Sequence, residues 1–170
     1  MPIAVMTSAC LLWLLFVTVH DFRQRRVPNW LVLAGAAVAL AALAFGVQPF
    51  EVGWTSAFLG AGIGFGFLLL FYVLGLMGAG DVKFAGALGL WTGLSPLASI
   101  WIAASLLAGL HALACLALRR WPLAPRLAIF LSASPAPITG ATPSGRARFI
   151  PYAAYLALAT VAWMFWGRQS

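Results

Sequence analysis

The chain has 170 residues, of which 64% are hydrophobic and only 8% are charged. Soluble domains carry roughly 25% charged residues, and disordered chains are polar and poor in aromatic side chains, so this composition excludes both classes. The net charge of +7 does not predict a nucleic-acid partner, because the basic residues lie mainly in connectors between apolar segments. The composition predicts an all-α, polytopic integral membrane protein surrounded by the lipid bilayer.

The apolar segments predict six membrane-spanning helices. The charged connector after the first segment ends at Pro28, which interrupts the helix, and Asn29 is expected to cap the second one. The uncharged stretch over residues 84–118 is too long for one crossing, and residues 93–96 (Gly-Leu-Ser-Pro) supply a turn between two. Residues 119–148, rich in proline, form the one long connector. The predicted spans are residues 3–20, 30–46, 54–77, 78–94, 97–118 and 149–167.

The distribution of basic residues predicts the orientation of these spans. With two crossings between residues 84 and 118, every Lys and Arg except Arg168 falls on one side of the membrane. The positive-inside rule makes that side cytoplasmic. We therefore predict a single transmembrane domain over residues 1–170, with both termini outside and the 119–148 connector in the cytoplasm.

Acidic residues are scarce, and their placement is informative. Asp21, Glu51 and Asp81 are the only three. Asp21 follows the first span and Asp81 lies in the first turn of the fourth, so both are expected at the cytoplasmic boundary, with Glu51 on the opposite side. A carboxylate in the membrane costs about 3 kcal/mol unless it faces protein or water. The simplest alternative is that both aspartates face lipid headgroups, alongside Arg23 and Lys83.

Glycines on the third and fourth predicted helices favour a close approach of the two aspartates. Glycine has no side-chain bulk, so another backbone can come near it. Those on the third span form two overlapping GxxxG spacings, and helix packing accounts for most of this pattern. The glycines are Gly60, Gly62, Gly64 and Gly66 on the third span and Gly78, Gly80, Gly86 and Gly89 on the fourth.

Two neighbouring carboxylates have a definite chemistry. When they lie within a few ångströms they do not easily both ionise, so one keeps a proton while the other acts as a base on a water molecule. This is the arrangement of aspartic proteases, and amide hydrolysis by it needs no metal or other cofactor. Asp81 is expected at the positive end of its helix and Asp21 at the negative end of its own, which favours Asp81 as the base and Asp21 as the acid. The basic cluster after Asp21 opposes that assignment.

Three motifs resemble those of the type IV prepilin peptidases, a family within the GxGD-type membrane aspartyl peptidases. Residues 78–83 (Gly-Ala-Gly-Asp-Val-Lys) are similar to the family's GxGDxK motif. Asp21, followed by basic residues and then Val27-Pro28-Asn29, resembles its first-aspartate segment. Ile150-Pro151-Tyr152-Ala153 resembles its C-terminal Pro-Tyr-Gly element, with Ala153 in place of the glycine.

The resemblance implies an endopeptidase that removes the leader peptide of type IV prepilins at the cytoplasmic face of the bacterial inner membrane. No cofactor is implied, and the partner is the signal segment of a prepilin. Nothing in the chain matches the paired CxxC motifs of bifunctional members, so it is most similar to the short, peptidase-only members that serve Flp/Tad-type pili. The implied catalytic residues are Asp21 and Asp81, and the residues around them are Gly78, Gly80, Lys83, Pro28, Asn29, Pro151 and Tyr152.

Two other functions are compatible with a polytopic membrane chain. A non-catalytic scaffold subunit of a pilus or secretion machine needs no paired acids, so it predicts that both aspartates tolerate substitution. A small transporter or proton channel predicts ionisable residues near the middle of the bilayer, where this chain has only His111.

Overall fold

The computed structural model describes residues 2–120 and 151–166. Regular secondary structure in these two ranges is entirely helical, which confirms the predicted all-α class. The predicted connector from residue 121 onward, and the outermost residues of the predicted last span, lie outside the described residues. The helices are α1 (Pro2–Gln24), α2 (Asn29–Ala44), α3 (Trp54–Val73), α4 (Ala79–Thr92), α5 (Leu97–Arg120) and α6 (Tyr152–Trp166).

The helices differ in whether they are long enough to cross a bilayer. By length and composition, α1, α3 and the part of α5 from Leu97 to Ala117 qualify. The apolar helices α2 and α6 have 16 and 15 residues, and α4 has 14. At 1.5 Å per residue these three are roughly 21 to 24 Å long, less than the hydrocarbon thickness of about 30 Å. The apolar helices indicate a membrane protein, and six crossings with both termini outside stay a prediction.

The connection between α1 and α2 differs in detail from the sequence expectation. Helix α1 runs on to Gln24, so Asp21 lies in its last turn, and it ends where Arg25 adopts a left-handed φ of 51°. The expected cap at Asn29 is wrong. Pro28 occupies the cap position, and its carbonyl accepts hydrogen bonds from the N–H groups of Leu31 and Val32 at 3.1 and 3.3 Å.

Helix α4 is the centre of the bundle. It packs most extensively on α3 and also contacts α2 and α6, while α1 and α5 pack on α6. Because neighbours cover it on several sides, its buried residues are not confined to one face. They are Asp81, Val82, Phe84, Ala85, Ala87, Leu88, Gly89, Leu90, Trp91 and Thr92.

The close packing of α3 on α4 depends on one of the two GxxxG spacings. A Cβ atom on Gly60 would lie 2.7 Å from the carbonyl oxygen of Gly89, and one on Gly64 would lie 2.7 Å from that of Ala85. A Cβ on Gly62 or Gly66 would meet nothing within 4 Å. The backbones of α3 and α4 therefore touch along the Gly60–Gly64 side alone.

Candidate active site

The two aspartates meet where α1 ends and where α4 and α6 begin. Asp21 is in the last turn of α1, and Asp81 is in the first turn of α4, as predicted. Their side chains are only 3% and 7% exposed. The two carboxylates are close enough to interact electrostatically. The structure thus brings together two acids that are 60 residues apart in the chain and buries both.

The first turn of α6 holds both carboxylates. The N–H of Ala153 donates to Oδ1 of Asp81, and the N–H of Ala154 donates to Oδ2 of Asp21, each at 2.9 Å. Consecutive Cα atoms are about 3.8 Å apart, so two consecutive N–H groups bring the carboxylates side by side. N–H groups in the first turn of a helix have no acceptor within the helix, and the helix dipole makes this end positive. The start of α6 is therefore suited to binding two acids.

Asp81 has a further backbone partner. Its Oδ2 accepts a hydrogen bond from the N–H of Gly78 at 3.2 Å, across the first turn of α4. Because Oδ1 is bound by Ala153, hydrogen bonds from two separate parts of the chain reach both oxygens of this carboxyl group. They hold the plane of the carboxyl group in one orientation.

Arg25 is the basic residue that acts on Asp21. Its charge interacts with the Asp21 carboxylate, and its backbone N–H donates to the carbonyl oxygen of Asp21 at 2.8 Å. Its positive φ is uncommon for a residue other than glycine. In the sequence, Arg23, Arg25 and Arg26 form one basic cluster. In the structure, Arg25, which has the left-handed backbone, is the member that acts on Asp21.

The glycine motif residues lie beside the carboxylates. Gly78 precedes α4 and donates to Asp81, and Gly80 faces the connector between α1 and α2. A Cβ atom on Gly80 would lie 3.3 Å from the backbone nitrogen of Val27, so a larger residue would push this connector away from α4. Pro28 is half-buried in the same connector.

Lys83 and Asn29 form a pair of their own. The Nζ of Lys83 donates to Oδ1 of Asn29 at 3.0 Å, which links α4 to the first residue of α2. This bond explains why the Asn29 side chain does not cap its own helix. Both residues are exposed, and they hydrogen-bond to each other and not to Asp21 or Asp81.

Pro151 and Tyr152 lie where α6 begins. Pro151 is buried directly before the helix, a position where proline is tolerated because its missing N–H has no acceptor there. The hydroxyl of Tyr152 is 3.1 Å from that of Ser105 on α5. Neither Ser105 nor Ala154 was predicted from the sequence as part of the site. No sequence signal marks Ala154, since it contributes its backbone N–H and not its side chain.

The other polar residues lie apart from the carboxylates. Glu51 is exposed in the connector between α2 and α3, at the opposite end of α2 from Asn29. The Nδ1 of His20 is 3.1 Å from the carbonyl oxygen of Phe16, and the ring of His111 lies 5.8 Å from that of Tyr155. Within residues 2–120 and 151–166, no three His, Cys, Asp or Glu residues group together as a metal site would require.

Comparison with known proteins gives one result. The model of the type IV leader peptidase family matches residues 8–113, more than half of the chain. The matched range includes Asp21 and Asp81 and ends before the start of α6. Searches of the curated proteins and of the solved structures found no match.

Proposed function

Because the chain belongs to the type IV leader peptidase family, we propose that it is a membrane aspartyl endopeptidase that removes the leader peptide of a prepilin. One observation carries the aspartyl assignment. Asp21 and Asp81, buried acids from different helices, are bound by consecutive N–H groups of α6. Burying two carboxylates next to each other costs free energy. A membrane chain with only three acidic residues is therefore not expected to bury two of them together unless the pair has a function.

The proposed reaction uses one ionised and one protonated carboxyl group. The ionised group takes a proton from water as the water oxygen bonds to the scissile carbonyl carbon, and the protonated group gives its proton to the carbonyl oxygen. A tetrahedral diol results. The C–N bond then breaks as the leaving nitrogen takes a proton from the first carboxyl group, and a diol hydroxyl returns a proton to the second. Both aspartates end as they began.

We assign the base to Asp81 and the acid to Asp21. Asp81 accepts hydrogen bonds at the positive ends of two helices, from Gly78 at α4 and from Ala153 at α6. Asp21 lies in the last turn of α1, whose end is negative. Arg25 and Ala154 favour an ionised Asp21 and oppose this assignment. The proposed reaction requires both aspartates, whichever of them is the base.

The proposed substrate is the signal segment of a Flp-like type IV prepilin, cleaved at the cytoplasmic face of the inner membrane. One observation supports this location. Arg23 and Arg26 are exposed at the end of the bundle that holds the carboxylates, which the positive-inside rule places in the cytoplasm.

Co-expression with a candidate Flp-type prepilin tests the proposal. The wild-type chain is expected to shorten the prepilin by its leader, seen as a mobility shift, and Asp21→Asn and Asp81→Asn are each expected to abolish the shift. Asparagine keeps one acceptor oxygen and replaces the other by an NH2 group, so Asp81→Asn loses one of its two backbone hydrogen bonds, and accumulation in the membrane is measured for each variant. Glu51→Gln is the control and should leave cleavage unchanged. Cleavage at a near-normal rate by either aspartate variant would contradict the mechanism and favour a scaffold.

A further inference from the structure

A groove of about 470 Å³ lies between α2, α3 and α4. We call it the Lys83 groove. Its lining is apolar apart from Lys83, and its volume lies in the range of small-molecule sites, roughly 300 to 1,000 Å³. The residues that matter below are Lys83, Leu90, Val32, Phe58, Gly62 and Phe65.

The Lys83 groove is separate from the carboxylates. Along α4 it is lined by Lys83, Gly86, Ala87 and Leu90, which share one helix face by their spacing of three and four residues. Asp81 is two residues from Lys83, and two residues correspond to about 200° of rotation around a helix. Helix α4 itself therefore stands between the groove and the carboxylates. A scissile bond lying in this groove would be on a different face of α4 from Asp81.

The charge at the groove selects an anionic ligand. Lys83 uses one of its three N–H donors on Asn29, and the others are available to a ligand. With its Oδ1 turned to Lys83, Asn29 also has an NH2 group to donate. None of the three acids of the chain lines the groove. An uncompensated ammonium group at one point of an apolar groove complements a molecule with one anionic group and a long apolar part.

We propose that the Lys83 groove binds one anionic glycerophospholipid. Its phosphate contacts Lys83 and the Asn29 amide, and an acyl chain lies along Phe58, Gly62 and Leu90. The apolar helices place this surface in a membrane, so such lipids are present at high concentration. Basic pockets between transmembrane helices are known to bind anionic headgroups, and each Lys near the surface contributes about 1 kcal/mol. The proposal does not depend on the peptidase activity.

Native mass spectrometry of the delipidated full-length chain tests the headgroup contact. Phosphatidylglycerol is titrated against phosphatidylethanolamine with the same acyl chains, and we expect a single tight site with roughly fivefold preference for phosphatidylglycerol. Lys83→Gln should remove the preference, whereas Arg23→Gln, an exposed basic residue at the same end of the bundle, should keep it. Equal binding of the two lipids by the wild type, or an unchanged preference in Lys83→Gln, overturns the proposal.

A second pair of variants tests the acyl-chain contact. Gly62 lines the groove and a Cβ there meets nothing within 4 Å, so Gly62→Leu fills the groove without disturbing the helix packing. Gly66 has the same open surroundings on the same helix but does not line the groove, which makes Gly66→Leu the matched control. We expect Gly62→Leu to lose the tight lipid and Gly66→Leu to keep it. If Gly62→Leu retains the lipid, the acyl chain does not lie in the groove. If Gly62→Leu abolishes only self-association of the chain, the groove binds a second copy of the protein. Either result overturns the proposal.

Discussion

At the residue scale, the main feature is the pair of backbone N–H groups that bind the two carboxylates. They come from Ala153 and Ala154, whose side chains are fully buried and apolar. A glycine in the place of Ala153, as in the family's usual motif, would provide the same N–H. The departure at Ala153 is therefore compatible with the hydrogen bond to Asp81, which the structure contains.

Replacing the Ala154 amide by an ester tests whether this N–H supports activity. Incorporating lactic acid at position 154 keeps the shape of the chain but removes the donor to Asp21. A hydrogen bond to a charged group contributes about 1.5 to 3 kcal/mol, so we expect kcat/KM for leader cleavage to fall at least about tenfold.

The control for this prediction is the same ester at position 159. Ala159 lies in the interior of α6, where a backbone N–H bonds within the helix, so its ester also removes one hydrogen bond but none to a carboxylate. This variant should retain most of its activity. Equal losses at positions 154 and 159 would indicate that α6 only needs to be stable, and that its first turn does not position Asp21.

At the element scale, the packing of α3 on α4 determines where Asp81 lies. Gly60 and Gly64 let α3 approach the backbone of α4, and Asp81 lies in the first turn of that same helix. Gly62 and Gly66 are exposed, and a Cβ atom on either would meet nothing within 4 Å. The two overlapping GxxxG spacings of the sequence are therefore not equivalent.

Alanine substitutions at Gly60 and at Gly62 should have different effects on stability. Gly60→Ala puts a methyl group against the carbonyl of Gly89, and overpacking of this kind costs about 1 to 3 kcal/mol. Gly62→Ala meets no neighbour and gains up to about 1 kcal/mol of helix propensity. Thermal unfolding in detergent should show a lower Tm for Gly60→Ala and an equal or higher Tm for Gly62→Ala. Equal Tm values for both variants would contradict the packing described for α3 and α4.

At the scale of the whole molecule, α4 is short for a helix that crosses a membrane. The sequence predicts that it crosses the membrane, yet its 14 residues are about 21 Å long. Most residues of α4 are buried against neighbouring helices, so protein surrounds most of its length. A short central helix can therefore connect the two sides without matching the bilayer thickness.

Cysteine labelling tests the six-crossing arrangement. In a chain whose native cysteines have been replaced, single cysteines are placed at Gln24, Glu51, Leu76 and Ser95, all exposed positions in or next to successive connectors. A membrane-impermeant maleimide added from outside should label positions 51 and 95, while 24 and 76 should require permeabilisation. Labelling of 76 and 95 from the same side would mean that α4 does not cross and that the predicted orientation is wrong.

The sequence by itself determined the helical class and the approximate helical segments, and it singled out the two acidic residues that are proposed to be catalytic. Apolar length and the breaks at proline, glycine and charged residues are local properties, so α4 begins next to Gly78 with Asp81 in its first turn as predicted. The family motifs, also local, pointed to Asp21 and Asp81 and agree with the family that matches the chain.

Only the tertiary structure decided which groups meet. The hydrogen bonds of α6 to Asp81 and Asp21 join residues 72 and 133 positions apart. The bond between Lys83 and Asn29, and the choice of Gly60 over Gly62 at the helix contact, depend on how each helix is rotated about its axis. These helices are apolar on nearly all sides, so their sequences have little of the one-sided pattern that would reveal this rotation. It is set by the close packing of all the helices together.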